Sequence, residues 1–352
     1  MDLTLFQKPQ VNLGRSTPGR MCLVSICAMM AILQSSLSGN DKWNSLFIAL
    51  AAVAGTVGTE LLFNLRDRYY SIKDGSALAS ALILTLLLPN QINPLYAFLG
   101  GVFAMAVLKH SFGGLGSNWI NPAAGAWLFI RSAWPVAFNQ SLEGGDLSRL
   151  ATSVEGGLQD SMGSPLALLM INGWSNMPLD DMVSSFFNNT IFDFTGSFLP
   201  QGYLSLLSSS GPGIIADRGL LFLLLGTVLI AASQCFRFWA PAAFLFGFSL
   251  LVRIYGALPF GGPLWNGDVI FALFSGGTMA AAFILLTDPA TGPRSMPGHA
   301  VFISLCVLFT FLFRYQGLDP YGAVTAVLLG NALVPLIRRT ENACYYERRR
   351  RS

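Results

Sequence analysis

The stretch Ser275-Gly276-Gly277-Thr278-Met279 continues through an apolar run and stops at Thr287-Asp288-Pro289. It reads as an apolar helix that opens on small residues and ends at a proline, which lacks an N–H and clashes with the preceding turn. Small residues let another backbone or a flat ligand come close. A helix broken in this way inside an apolar chain lines something. A second stretch, residues 76–89, lines up without gaps on residues 276–289, from Ser76-Ala77-Leu78-Ala79 to Pro89. Further on, Asn121-Pro122 before an Ala/Gly-rich run matches Asp319-Pro320 before Tyr321-Gly322-Ala323, and an acidic residue heads each unit, Asp74 and Asp268.

The surroundings of this pair are those of a membrane protein. Of the 352 residues, 53% are hydrophobic and only 11% charged, with a mean hydropathy of +0.55. That is more apolar surface than a water-soluble core of this size uses. Windows of roughly 17–25 apolar residues give about ten spans. They fall near 21–37, 44–65, 76–88, 95–108, 123–138, 219–232, 240–255, 275–289, 301–313 and 321–337. Residues 1–20 are polar, with no cleavage site after an apolar core, so the first span is expected to stay in the mature protein.

Charge placement orients the spans. The basic stretches 66–73 and 109–110, Arg237, Arg294, Arg338-Arg339 and Arg348-Arg349-Arg350-Arg351 all fall on one side of a ten-span chain. By the positive-inside rule that side is cytoplasmic and holds both termini. The long segment 139–217, rich in Gly, Ser, Asn and Asp, then lies outside. The expected organisation is a first five-span repeat (1–138), an outer loop region (139–217), a second five-span repeat (218–340) and a basic tail (341–352). Five spans is an odd number, so the second copy is inserted upside down, and inverted repeats with matching broken helices place a site between the halves near the midplane.

Few side chains offer chemistry. The five cysteines lie far apart or inside spans and form no metal-ligand spacing. His110 and His299 read as interfacial loop residues with no ligand partners at spacing, and neither a catalytic triad nor a phosphate-cradling loop is visible. Nothing indicates nucleic-acid binding. Glu60 and Arg131 lie within spans, where an ionisable group costs at least about 2.5–3.5 kcal/mol and faces the bundle. For Glu60 two readings stand: a structural pair with an arginine, or an ion or proton path. Arg314, at the end of its span, is expected to snorkel to the interface. Asp288 either stops its helix or offers an ion or cofactor contact. In the outer segment, Ser164-Pro165 reads locally as an N-cap followed by proline at the first helical position.

Four motifs in order carry a resemblance over almost the whole chain: residues 73–78; 113–118 with 121–123; 275–279 with 287–289; and 321–323 through 331–337. The chain resembles the RnfD family of the Rnf electron-transport complex and, more distantly, its NqrB counterpart in the sodium-pumping NADH:quinone oxidoreductase. The resemblance implies an all-α, urea-channel-like membrane fold in a bacterial inner membrane. It implies FMN carried through a phosphodiester bond on a Ser/Thr hydroxyl, installed by a flavin transferase outside the membrane. The family's acceptor motif reads Ser-x-Ala-Thr-Pro-Leu. Here Ser161-Met162-Gly163-Ser164-Pro165-Leu166 occupies it, with Ser164 in the acceptor's place, Gly163 for alanine and Met162 for a smaller or polar residue.

On the same resemblance, Ser161, Asn121, Ser275, Gly276, Gly277 and Thr278 would surround flavin, which includes a second, non-covalent FMN or riboflavin. Glu60, Asp74 and Asp288 would line an ion path. Electrons would pass between reduced ferredoxin and NAD, which bind sibling components of the Rnf complex (A, B, C, E and G), coupled to sodium or proton movement, and this chain would have no independent catalytic activity. Two competing readings are a non-redox channel or transporter of the same architecture and a scaffold without covalent flavin.

Overall fold

A computed structural model describes residues 17–37, 43–67, 74–112, 114, 118, 120–139, 178–187, 189–190, 207, 214–233, 238–260, 263–265, 267–293, 295–316 and 319–351. Among these residues the chain is helical apart from turns and one isolated bridge between Pro89 and Ile214. The helices are α1 (Thr17–Leu37), α2 (Asn44–Asp67), α3 (Ser76–Leu87), α4 (Pro94–Phe103), α5 (Pro122–Ala133), α6 (Pro135–Asn139) and α7 (Pro178–Phe187). They continue with α8 (Ile215–Arg218), α9 (Leu220–Ala232), α10 (Trp239–Tyr255), α11 (Val269–Phe274), α12 (Thr278–Ala280), α13 (Met296–Phe311) and α14 (Gly322–Arg351). Three helices run on as π-helical turns: α4 through Ala104–Lys109, α12 through Ala281–Leu285 and α13 through Leu312–Gln316.

Among the described residues, five helical stretches are long and apolar enough to cross a membrane: Pro18–Leu37, Asn44–Leu65, Pro94–Phe112, Met296–Gln316 and Gly322–Ala343. Shorter apolar helices, α3, α9 and α10, lie among them. The orientation of α2 shows which solvent it faces. Its outward residues are Phe47, Leu50, Leu61, Leu62 and Leu65, whereas the buried ones include Ala49, Ala52, Thr56, Thr59 and Glu60. A helix in water does the reverse. Apolar outside and small or polar inside marks a multi-pass membrane protein, in which close backbone approach replaces the hydrophobic drive between helices. Accordingly α2 and α4 meet where a Cβ on Gly55 would overlap the carbonyl of Phe98 and one on Gly101 would come within 2.8 Å of the carbonyl of Ala52.

Short polar devices start the helices. Asn93 Oδ1 accepts from Leu95 N (2.9 Å) ahead of α4, Asp268 Oδ1 from Phe271 N (3.0 Å) ahead of α11, and Ser295 Oγ from Gly298 N (3.1 Å) ahead of α13. Each satisfies one of the orphan N–H groups at a helix start. The broken helices begin differently, each on a glycine in the left-handed region: Gly75 (φ 71°) before α3 and Gly277 (φ 69°) before α12, the latter preceded by Gly276 (φ 65°).

The left-handed glycines offer a second pairing of the two stretches. Aligning Pro89 with Pro289 sets Ser76 against Gly276, but the glycine starts set Ser76 against Thr278 and Thr85 against Thr287, a shift of two residues. The hydroxyls agree: Thr85 Oγ1 donates to Ala81 O (2.9 Å) and Thr287 Oγ1 to Phe283 O (2.7 Å). The first stretch runs two residues further past its threonine before reaching proline.

Gly276→Ala tests this joint. The left-handed backbone alone costs a side chain about 1–3 kcal/mol, and the added Cβ would overlap the carbonyl of Pro320 and lie 3.1 Å from the Arg314 guanidinium carbon. The thermal midpoint of the detergent-solubilised protein should fall by several degrees. Gly58→Ala, on α2 with nothing within 4 Å of the new atom, should leave the midpoint unchanged or raise it.

Candidate functional site

The starts of α3 and α12 are each held by a buried cation delivered from a π-helical turn. At the first, Lys109 (2% exposed) ends the turn that follows α4, and its Nζ donates to Glu60 Oε1 and to Ser76 Oγ, both at 2.7 Å. Glu60 is fully buried. Its Oε2 lies 3.4 Å from His110 Nε2, and the His110 ring stacks on Phe63 with centroids 4.3 Å apart. Asp74 joins the group from the other side, its Oδ1 accepting from Ser76 N (2.8 Å).

At the second break Arg314, in the π-helical turn after α13, is also buried (2% exposed). It donates through Nη1 to the carbonyl of Ala272 and to Thr278 Oγ1 (2.7 Å), and through Nη2 to Ser275 Oγ (2.8 Å). The expectation that Arg314 snorkels is therefore wrong. The carbonyl at the end of α11, turned loose by the break, and two hydroxyls offer acceptors that make an inward guanidinium the better solution. Gly277 N donates to Asp217 Oδ1 (2.9 Å). Ser76 and Thr278 each follow a left-handed glycine, and each takes a hydrogen bond from its own buried cation.

A third set of contacts joins the two parts of the chain along α5. Asn121 caps this helix, its Oδ1 accepting from Ala123 N (3.0 Å) and Ala124 N (3.3 Å), and its Nδ2 donates to Asp288 Oδ2 (2.9 Å). At the other end Arg131 makes a two-pronged pair with Asp319, Nη1–Oδ2 at 3.0 Å and Nη2–Oδ1 at 2.8 Å, with its guanidinium over the rings of Trp127 and Tyr321. The carboxylate at the N-terminus of α5 and the cation in its last turn both complement the helix dipole. A fourth contact uses α8, where Ile215 N donates to the carbonyl of Leu88, one residue past α3, while Asp217 holds Gly277 at the start of α12. One short turn thus touches both broken helices.

Of the residues singled out from sequence, the structure brings Glu60 and Asp74 together around Ser76 and Lys109, and Asn121 together with Asp288. Ser275, Gly277 and Thr278 share one joint with Arg314 and Asp217, and Gly276 packs against Pro320. The polar groups of Asn121, Ser275, Gly277 and Thr278 described above are turned to protein partners, so in this structure they hold the fold together. Ser161 and Ser164 lie outside the described residues. Among the described residues no cluster of His, Cys, Asp and Glu could hold a metal ion.

A family model described as the NQR2, RnfD, RnfE family matches residues 4–346. The chain belongs to this family. It is similar to the D component of the proton-translocating ferredoxin:NAD(+) oxidoreductase complex of Clostridium ljungdahlii, 27% identical over 343 residues, covering 95% of this chain and 93% of that one. The Na(+)-translocating counterpart from Acetobacterium woodii is 26% identical over 341 residues (96% and 93%). The D component of an ion-translocating oxidoreductase complex from Vibrio atlanticus is 30% identical over 350 residues (96% and 97%).

In this NQR2, RnfD, RnfE family chain the described motif residues fall at the joints: 74–78 at the start of α3, 275–279 at the break between α11 and α12, and 121–123 and 319–323 at the two ends of the α5 seam. Lys109, Asp217 and Asp319 were not singled out as site residues from sequence. Lys109 ends an apolar run beside a histidine and reads as an interfacial charge. Asp217 reads as the tail of a polar loop. Their partners are 33 to 188 residues away, beyond the reach of local patterning.

The Glu60–Lys109 pair predicts a double-mutant result. Removing one partner of a buried ion pair strands the other and costs about 3–5 kcal/mol, whereas removing both spares most of that. Glu60→Gln and Lys109→Met should each lower the thermal midpoint strongly, and the double mutant should melt above either single one. Additive losses would contradict the pairing.

Proposed function

We propose that this chain is the membrane component of a redox-driven ion pump that exchanges electrons between ferredoxin and NAD through sibling subunits. The observation that carries the reading is family membership across residues 4–346 together with relatives named as the D component of ion-translocating ferredoxin:NAD(+) oxidoreductase complexes. The chain would assemble with the A, B, C, E and G components in a bacterial inner membrane. Both termini would be cytoplasmic, and it would act as part of the translocase, with no catalysis of its own.

The finer architecture belongs to the same proposal. Ten spans form two five-helix repeats, 1–138 and 218–340, inserted in opposite senses, with 139–217 outside and 341–352 on the cytoplasmic side. Three observations support it: the matched left-handed starts of α3 and α12, the matched buried cations at Ser76 and Thr278, and α8, which touches the end of α3 and the start of α12. In an inverted pair those two ends share one side of the membrane.

FMN is proposed on the Ser164 hydroxyl through a phosphodiester bond, formed outside the membrane by a flavin transferase. When bound, FMN supplies electron transfer, and the protein contributes position and surroundings. A second flavin held without a covalent link would draw its contacts from groups other than those committed at the Ser275–Thr278 joint. The ion path is proposed to follow the buried Glu60 and half-buried Asp74 at the start of α3 and Asp288 at the seam, where its carboxylate meets Asn121 across the two halves. Sodium and protons both suit such groups, and one relative of each kind is named.

In-gel flavin fluorescence of the denatured chain, co-expressed with its transferase, tests the reading. Wild type should fluoresce and Ser164→Ala should be dark. Fluorescence that persists in the mutant would move the attachment site, and a dark wild type would favour a scaffold without covalent flavin.

A further inference from the structure

A trough of about 360 Å³ lies between α10 and α13. It is lined at four-residue steps by Ala243, Gly247 and Leu251 on one helix and by Ala300, Ser304 and Leu308 on the other. The helices touch at its floor, where a Cβ on Gly247 would lie 3.2 Å from Val307, and the small side chains above that contact keep the trough open. Ala243, Ala300 and Ser304 are exposed, and Phe246 (73% exposed) and Val301 (51%) flank them. A rim of this kind on a membrane helix borders hydrocarbon, so the trough opens to lipid.

The two ends of the trough differ. At one end it is lined by Trp239, which stands edge-on to His299 with ring centroids 6.0 Å apart. Tryptophan favours the membrane–water interface. The stretches that lead into the two walls, 233–238 and 289–299, carry Arg237, Arg294 and His299 and no acidic residue. Glu341, which reaches the start of α13, accepts there from Ser295 N (3.1 Å). Past the other end Tyr255 meets Phe311, centroids 6.3 Å apart, and the helices close. From Trp239 to Leu251 is about 18 Å of helix, close to the roughly 15 Å of hydrocarbon in one leaflet. A partner helix crosses both leaflets, whereas a lipid chain occupies one. We propose that the trough seats one acyl chain of an anionic phospholipid, with the headgroup phosphate at the Trp239–His299 end. Basic residues between membrane helices on the cytoplasmic side suit such a headgroup. The choice of the inner leaflet rests on the orientation given under the proposed function. The site itself is read by stability in detergent, so it can fail while the flavin at Ser164 and the ion path stand, and the reverse.

The test uses the full-length chain purified in its complex and delipidated in detergent, with thermal midpoints measured against added phosphatidylglycerol or phosphatidylcholine of matched chains. A ligand that binds only the folded state raises the midpoint by mass action. Wild type should rise by about 2–4 °C in saturating phosphatidylglycerol and by less than half as much in phosphatidylcholine. Ser304→Leu, which fills the trough from an exposed position, should retain its sibling components and lose the phosphatidylglycerol increment. Arg237→Gln combined with Arg294→Gln should raise the half-maximal phosphatidylglycerol concentration at least about 5-fold, the worth of one basic contact to an anionic headgroup. Equal responses to the two lipids in wild type, or an undiminished phosphatidylglycerol response in Ser304→Leu, would overturn the proposal. So would loss of a sibling component from a folded Ser304→Leu chain, the outcome of a docked helix. Should Ser304→Leu fail to fold, an unchanged half-maximal concentration in the arginine variant would overturn it alone.

Discussion

A charged side chain buried at a break in a membrane helix is the constraint from which most of this structure follows. Where α11 gives way to α12 the backbone leaves a carbonyl at Ala272 without its helical donor, and no water is at hand in a hydrocarbon setting to replace it. Arg314 meets that carbonyl and the hydroxyls of Thr278 and Ser275 together. Lys109 does the corresponding work at Ser76, with the Glu60 carboxylate balancing its charge. Both cations come from π-helical turns, a local widening that recurs at functional positions in helices. The Ala272 carbonyl also accepts from Thr278 Oγ1 (3.0 Å), so the cation and the hydroxyl share the work of closing the α11–α12 break.

The joints are tied to each other through α5 and α8. Asn121 and Arg131 anchor α5 at its two ends to Asp288 and Asp319, residues on either side of α13. Each anchor also satisfies the helix to which it belongs, Asn121 as a cap and Arg131 as a last-turn cation, so motion of α5 relative to Asp288 and Asp319 would disturb helix ends as well as side-chain pairs. A proposed ion route that passes Glu60, Asp74 and Asp288 would thus run beside the contacts that fix the halves. This gives a physical reason for any coupling between ion binding and the disposition of α5, since two discrete arrangements of such contacts can be biased by one bound charge.

Much of this is legible in the residues, and the misses have physical causes. Apolar runs announce membrane helices because period and length survive without tertiary context. The depth of Glu60 announces an inward-facing carboxylate for the same reason. The two stretches are visible, and the left-handed glycines at their starts offer a pairing two residues away from the one anchored on proline. Proline marks where a helix ends, whereas the left-handed glycines that mark where it begins, Gly75 and Gly277, are indistinguishable in sequence from other glycines. Arg314 is misplaced by sequence reasoning because a basic residue at the end of an apolar run commonly reaches the interface; only the fold reveals that Ala272, Ser275 and Thr278 wait inside. Lys109 is hidden by its neighbour His110 for a similar reason.

The inverted relation of the two joints is the claim on which the proposed mechanism turns, and membrane sidedness tests it most directly. In a background with Cys22, Cys27, Cys235, Cys306 and Cys344 replaced, single cysteines at Ser71, ahead of the first joint, and at Asn266, ahead of the second, would be exposed to a membrane-impermeant thiol reagent in spheroplasts and in inverted vesicles. Ser71→Cys should be labelled only from the cytoplasmic face and Asn266→Cys only from the outer face. Labelling of both from the same face would contradict the inverted arrangement.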